Sequence, residues 1–120
     1  MQVTGEALTI EADEQMLRQA FFNLVLNAIQ AVQPNGEILV AALRHNSEAV
    51  LEVRDNGPGV PPERRSEIFK PYFTTQKTGT GLGLAVVHQI VLAHGWEIEC
   101  AANEPQGAIF RISHLKLNSQ

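Results

Sequence analysis

Several short segments of the 120-residue chain alternate apolar and polar residues, and two longer segments carry apolar residues at helical spacing. Alternation is typical of a strand with one buried face, whereas spacing by three and four residues is typical of an amphipathic helix. The pattern predicts an α+β fold, a two-layer sandwich in which helices cover one face of a sheet. The predicted strands cover about residues 7–12, 37–44, 49–55, 96–100 and 108–112, and the predicted helices cover about 13–32 and 82–93, with a further short helix at 63–68. Asp13 is predicted to cap the start of the first helix and Gly95 the end of the second, where His94 is expected to interact with the helix terminus.

The composition limits the number of domains and the class of partner. Hydrophobic residues make up 44% of the chain and charged residues 18%, with a net charge of −4. This length and composition predict a single domain, 1–120, with a sizeable core. An acidic chain without a Lys/Arg cluster argues against nucleic acid as a partner. We expect a cytoplasmic domain without direct membrane contact. The single cysteine fits a reducing compartment, the N-terminus does not resemble a leader, and no run approaches the ~20 apolar residues that span a membrane.

Asp55 is the first residue that does not fit a purely structural strand. Leu51, Val53 and Asp55 share one face of the predicted strand because side chains alternate with a period of two. The carboxylate therefore continues the face that should be buried, where it needs a partner. Gly57 and Gly59 follow and permit a close approach of the backbone. A strand-end Asp that only caps the next turn is an equal alternative.

Two further features are an asparagine pair and a glycine-rich loop. Asn23 and Asn27 lie one turn apart on the first helix, where their amide oxygens could ligate a hard cation such as Mg²⁺. A plain polar helix margin is the commoner reading of such a pair. The segment Gly79-Thr80-Gly81-Leu82-Gly83-Leu84 enters the second helix directly. Backbone N–H groups at such a helix start favour phosphate.

In chain order, these features resemble the ATP-binding catalytic domain of bacterial two-component sensor histidine kinases. That superfamily also contains type II topoisomerases, a class of chaperones and mismatch-repair ATPases. The resemblance covers about residues 8–115 and implies a Bergerat-type ATP-binding fold with a mixed sheet of about five strands. It rests on four motifs in this order. FNLVLNA at 22–28 is similar to the N box, and DNGPGV at 55–60 is similar to the first glycine box. IFKPYFTT at 68–75 is similar to the F box, and GTGLGL at 79–84 is similar to the second glycine box.

The resemblance implies ATP and Mg²⁺ as ligands and gives roles to individual residues. Asp55 would accept the adenine amino group, and Val60 would pack on the base beside a loop that Gly57 and Gly59 allow to close. Asn27 would ligate Mg²⁺, and Asn23 would lie beside the phosphates. The other implied ATP-binding residues belong to the lid region: Phe73, Lys77, Gly79, Thr80, Gly81, Leu82 and Gly83. For Phe69 and Phe73, core packing is an equal alternative to anchoring the lid.

The residue at position 23 also bears on the reaction. The hydrolysing branches of the superfamily carry a Glu there as a general base. Asn23 cannot accept a proton near neutral pH, so the resemblance implies phosphoryl transfer to a histidine instead. No catalytic residue is assigned in this chain, because none of its four histidines precedes an acidic residue, as the family's phosphoacceptor does. The implied partners are therefore a separate dimerisation and phosphoacceptor domain of the same kinase and a downstream response regulator.

Two other functions remain open. Gln76 stands where many such kinases have Lys after the two threonines, and Ala108 replaces a Thr whose hydroxyl is expected near adenine. Both departures favour an ATP-binding regulatory module without phosphotransfer. The third hypothesis is an ATP-hydrolysing switch, which Asn23 disfavours.

Overall fold

The computed structural model describes residues 1–5, 7–71 and 82–117. The elements within these ranges are, in chain order, β1 (Gln2–Gly5), α1 (Glu14–Ala31), β2 (Ile38–His45), β3 (Glu48–Asp55), a 3₁₀ helix (Pro62–Arg64), α2 (Gly83–His94), β4 (Glu97–Ala102) and β5 (Ala108–Lys116).

The strands form one mixed sheet, and the helices cover one of its faces. The spatial order is β1-β2-β3-β5-β4, with β1 parallel to β2 and the other neighbours antiparallel. Core side chains of the sheet, such as Val53 and Phe110, lie on the face that packs against the helices. The predicted α+β sandwich with about five strands is confirmed.

The first strand is not where the alternating pattern placed it. The strand predicted at 7–12 is wrong: its one β-type pairing among the described residues is an isolated bridge between Ile10 and Leu117, the residue after β5. Leu8, Ile10 and Ala12 alternate because they pack against the core, although the segment does not join the sheet. The true first strand, Gln2–Gly5, is exposed along its whole length and therefore has no alternating pattern.

The two α-helices begin and end close to the predicted positions. The Asp13 carboxylate accepts a hydrogen bond of 2.9 Å from the Met16 N–H, which confirms it as the N-cap of α1. Gly95 ends α2 in the left-handed conformation, with φ of 72°, as predicted for a C-cap. The short helix predicted at 63–68 is limited to the 3₁₀ turn at Pro62–Arg64.

His94 links the ends of the two helices, which extends its predicted role at the end of α2. Its Nδ1 lies 2.8 Å from the Ile90 carbonyl oxygen, and its Nε2 accepts a hydrogen bond of 3.1 Å from the Asp13 N–H. Nδ1 therefore carries the proton and donates to Ile90. The ring also stacks on Trp96 at 4.1 Å between centroids. The start of α1 is thus held against the end of α2.

The sheet face opposite the helices carries a chain of ion pairs. Glu52 is only 3% exposed and accepts bonds of 2.6 Å from both Arg54 and Arg111. Arg111 also pairs with Glu99 at 2.6 Å. Burial pushes the pKa of Glu52 upward, but the hydrogen bonds from the two arginines outweigh it and lower that pKa below its ordinary value. The arginine side chains thus bury this carboxylate on the sheet face opposite the two helices.

Among the residues that the structure describes, neither helix is long and apolar enough to cross a membrane.

His114 predicts a pH-dependent contribution to stability. Its ring lies 3.1 Å from Glu48 and 3.6 Å from Glu97, and the hydrogen bond and charge of Glu48, followed by Glu97, raise its pKa above the ordinary 6.5. The contribution is fully present below about pH 6.5 and is lost as the pH rises through the folded-state pKa. The melting temperature of wild type should therefore exceed that of His114→Gln by more at about pH 5 than at about pH 8.5. An equal difference at both pH values would contradict the ion pairs.

Candidate functional site

The site is built around Asp55, the last residue of β3. The residue is 2% exposed, and its Oδ1 accepts hydrogen bonds from the backbone N–H groups of Gly57, at 2.9 Å, and Ala108, at 3.3 Å. Burial raises the pKa of Asp55 above its ordinary value, and the two backbone hydrogen bonds oppose that rise without cancelling it. The carboxylate therefore lies on the buried face that the alternation predicted.

The second carboxylate oxygen of Asp55 is available to a ligand. Among the described residues, both hydrogen bonds to the carboxylate fall on Oδ1. No buried side-chain nitrogen or oxygen in this part of the chain lacks a partner, so Oδ2 retains access to solvent. A hydrogen-bond donor placed at Oδ2 would favour the charged form that burial disfavours. The geometry thus offers one fixed acceptor at the end of β3.

The glycines after Asp55 allow the chain to pass close to other backbone segments. A Cβ on Gly57 would lie 2.7 Å from the Ala31 carbonyl oxygen, at the end of α1. Gly59 has φ of +79°, and a Cβ there would lie 3.0 Å from the Gly107 oxygen. Val60, the next residue, is half-buried against the core. The loop at residues 57–59 therefore packs closely between the end of α1 and the residue before β5.

The two asparagines lie along α1, in line with this loop. Asn23 donates from Nδ2 to the Gly83 carbonyl oxygen at 3.2 Å, and its Oδ1 accepts from Gln19 at 2.9 Å. Within the described ranges, the half-buried Asn27 amide has no hydrogen bond. Ala31, one turn beyond Asn27, contacts the loop at Gly57. One side of α1 therefore runs from the start of α2 to the end of β3, about 12 Å along the helix axis.

The remaining predicted residues fall at the start of α2 or outside the described part of the chain. Gly83 is the first residue of α2, and Leu82 stands at the N-cap position with 39% exposure. A leucine side chain cannot accept a hydrogen bond from the first-turn N–H groups, which is compatible with an anion site there. Phe73, Lys77, Gly79, Thr80 and Gly81 lie outside the described residues.

Of the two alternatives for Phe69, core packing and anchoring of the lid, the structure shows core packing. It is half-buried, its ring meets Phe110 edge-on at 6.2 Å between centroids, and it lies 5.8 Å from the His88 ring. Phe69 therefore packs on the core in this structure. The corresponding alternative for Phe73 lies outside the described residues.

Sequence reasoning missed Asn103 and Gln106, two polar residues between β4 and β5. Asn103 donates from Nδ2 to the Asp55 carbonyl oxygen at 2.8 Å, and Gln106 donates from Nε2 to the Gly57 carbonyl oxygen at 3.0 Å. In the sequence they belong to Asn103-Glu104-Pro105-Gln106-Gly107, which carries only the signals of a turn. Because they lie 48 and 49 residues from their partners along the chain, no local sequence pattern predicts these two hydrogen bonds.

The donor set near the site suits an oxygen-ligated cation better than a transition metal. Within the described residues, no group of three or more His, Cys, Asp or Glu could hold a metal ion. The half-buried Asn27 amide offers one neutral oxygen, which is a ligand type that Mg²⁺ accepts when phosphates complete its shell. The residues present therefore fit a cation that arrives with a phosphate ligand.

The fold agrees with comparisons to known proteins. The sequence profile of the "Histidine kinase-, DNA gyrase B-, and HSP90-like ATPase" family matches residues 12–119. The chain belongs to this family, within its sensor histidine kinase branch. It is 46% identical over 103 residues to the sensor histidine kinase ZraS of Escherichia coli K12, covering 86% of this chain but only 22% of ZraS.

Solved structures support the same assignment. A mycobacterial sensor histidine kinase, MprB, superposes with a TM-score of 0.89 at 31% identity, covering 99% of this chain and 82% of that one. The histidine kinase ThkA, solved in complex with the response regulator TrrA, superposes with a TM-score of 0.82 at 30% identity. That match covers 96% of this chain and 33% of ThkA. The domain is thus of the histidine kinase ATP-binding catalytic type.

Gly107 provides a test of the close packing beside Asp55. A Cβ at this position would lie 1.9 Å from the Asp55 carbonyl oxygen, at a φ of +115°. We expect Gly107→Ala to lower the free energy of unfolding by about 3 kcal/mol or more, measured by urea denaturation. Gly83→Ala is the matched control, because a Cβ there meets nothing within 4 Å, and its effect should stay within about 1 kcal/mol. Equal effects of the two substitutions would contradict the packing.

Proposed function

We propose that this domain binds Mg-ATP and transfers the γ-phosphoryl group to a histidine on a separate dimerisation domain, as part of two-component signalling. The observation that carries the proposal is the buried Asp55 carboxylate, fixed through one oxygen and open at the other, in a chain of the histidine kinase family. The domain, which corresponds to residues 1–120, is proposed to work in the cytoplasm, where ATP is available.

Adenine is proposed to bind at Asp55. Its exocyclic amino group would donate to Oδ2, while the Gly57 and Ala108 amides hold Oδ1. Val60 would pack on the base, and Gly57 and Gly59 would allow the loop to follow it. Ala108 serves through its backbone N–H and offers no hydroxyl, so any water that bridges to adenine has one partner fewer than it would beside Thr.

The phosphates are proposed to lie along α1 toward the start of α2. Asn27 would ligate Mg²⁺, which supplies charge neutralisation on the phosphates when bound. The backbone N–H groups of the first turn of α2, beginning with Gly83, would face the phosphate oxygens, and Leu82 precedes them at the N-cap position. Phe73, Lys77, Gly79, Thr80 and Gly81 remain proposed members of the lid region. The length of α1 between Asn23 and Ala31 suits a ligand with a base at one end and phosphates at the other.

Transfer is favoured over hydrolysis by the chemistry of Asn23. An amide cannot take a proton from water, and both of its polar atoms are held, by Gln19 and by Gly83. The domain would therefore orient ATP for in-line attack by a nucleophile that arrives from elsewhere. Three of its own histidines already have structural contacts: His88 with Phe69, His94 with both helices and His114 with two glutamates.

The partner domain is proposed to dock on the outward face of α1. Phe22, Leu26 and Ile29 are 63%, 40% and 52% exposed, and they fall within about 60° of arc on the side of α1 opposite Leu24. The asparagine pair lies between this apolar stripe and the core. A helix of the dimerisation domain seated on the stripe would present its histidine beside the phosphates. Since the chain spans 22% of ZraS, relatives of this kind contain further chain that could occupy it.

Nucleotide binding is tested by calorimetric titration of the domain with ATP, with and without Mg²⁺. Wild type should bind saturably, and Mg²⁺ should strengthen binding. Asp55→Asn should weaken binding about tenfold or more, because the carboxamide replaces a charged acceptor by a weaker one. Asn27→Ala should bind ATP but lose most of the strengthening by Mg²⁺. Equal affinities of wild type and Asp55→Asn would contradict the adenine site.

Docking is tested by the rate at which the domain phosphorylates the dimerisation domain of its parent protein, added in trans. Phe22→Ser and Leu26→Ser should each lower this rate about tenfold while the affinity for ATP stays unchanged. Leu43→Ser is the matched control, because Leu43 is 43% exposed but lies on β2. Equal losses in all three variants would contradict docking at α1.

Binding without transfer would favour the regulatory module, and phosphate release without any acceptor would favour the hydrolysing switch.

A further inference from the structure

The segment between β4 and β5, residues 103–107, donates hydrogen bonds to two backbone carbonyl groups at and just after Asp55, the proposed adenine acceptor. Asn103 donates from its side chain to the Asp55 carbonyl oxygen at 2.8 Å, and Gln106 donates to the Gly57 carbonyl oxygen at 3.0 Å. The segment is itself closed by a bond of 3.0 Å from the Asn103 N–H to the Gly107 carbonyl oxygen. We refer to residues 103–107 as the β4–β5 loop.

The Asp55 carboxylate depends on this loop for its position. The chain after Asp55 contains Gly57 and Gly59, which restrict the backbone little. One of the two hydrogen bonds to Oδ1 comes from the Ala108 N–H, the residue that follows the loop directly. The half-buried Asn103 amide ties the Asp55 backbone to the loop beyond the last β3–β5 pair, Arg54 and Ile109, and so helps to hold Oδ1 near the Ala108 N–H.

We propose that Asn103, assisted by Gln106, is a positioning residue that determines the preference of this site for adenine. The inference rests on the proposed function, because it assumes that Oδ2 of Asp55 accepts the adenine amino group. Guanine carries a carbonyl oxygen where adenine carries that amino group, so a rigidly held carboxylate repels guanine. A carboxylate on a loosened backbone can turn away from the carbonyl. Loss of the Asn103 bond should therefore weaken ATP binding more than GTP binding.

The test uses Asn103→Asp, which keeps the shape of the side chain but replaces the donor by an acceptor that faces the Asp55 carbonyl. Asn103→Ala removes the donor without adding a charge. Asn46→Asp is the matched control, because it makes the same chemical change in the exposed turn at the other end of β3. Affinities for ATP and GTP are measured by displacement of a fluorescent ATP analogue. Both Asn103 variants should bind ATP about tenfold more weakly, with GTP affinity little changed, while Asn46→Asp matches wild type.

A second measurement does not depend on nucleotide. Amide hydrogen exchange at Gly57 and Ala108 should accelerate in both Asn103 variants, because their N–H groups bond to Oδ1 of Asp55. If an Asn103 variant does not fold, Gln106→Glu serves instead, since Gln106 is exposed and its replacement removes one donor to Gly57. Its expected loss of preference for ATP is about threefold.

The outcomes separate this inference from the proposed function. If wild type binds ATP, Asp55→Asn binds it much more weakly, and the Asn103 variants keep the ATP-to-GTP preference of wild type, the inference is wrong and the adenine site stands. Equal weakening of ATP and GTP would also overturn it, because it would indicate a purely structural role. If wild type fails to bind ATP, the proposed function falls and the inference falls with it.

Discussion

The buried carboxylate of Asp55 is the constraint on which the rest of the site depends. A carboxylate that is 2% exposed is costly unless hydrogen bonds hold it, and here two backbone N–H groups do so through a single oxygen. Providing those donors requires the chain to turn back at Gly57 and β5 to begin beside the end of β3. The close contacts of Gly57 and Gly107 follow from this requirement, because neither position has room for a Cβ.

The helix α1 connects this carboxylate to the other end of the site. Its last turn contacts the loop at Gly57, and its middle is bonded through Asn23 to the first residue of α2. His94 holds the start of α1 to the end of α2, so the two helices are joined at both ends of α2. A ligand that lies along α1 therefore meets elements that hydrogen bonds already hold to one another.

The sequence predicted the parts of the structure that depend on local patterns. The burial of Asp55 followed from the alternation in β3, and the Asp13 and Gly95 caps followed from residue type and position. The strand β1 could not be predicted, because an exposed edge strand has no alternation, whereas the segment with Leu8 and Ile10 alternates without joining the sheet. Asn103 could not be predicted either, since its partner lies 48 residues away and becomes a neighbour only when β5 pairs with β3.

The contrast between Asn23 and Asn27 connects the architecture to the chemistry. They share one side of α1, but the Asn23 amide has both polar atoms bonded within the chain, whereas the Asn27 amide has neither bonded within the described residues. A ligand can therefore use Asn27 without breaking a hydrogen bond, while contact with Asn23 must compete with Gly83 at the start of α2. Engagement of Asn23 by phosphate would free that carbonyl and alter the start of α2. Under the proposed function, Asn23 would therefore respond to phosphate, whereas Asn27 would bind the cation.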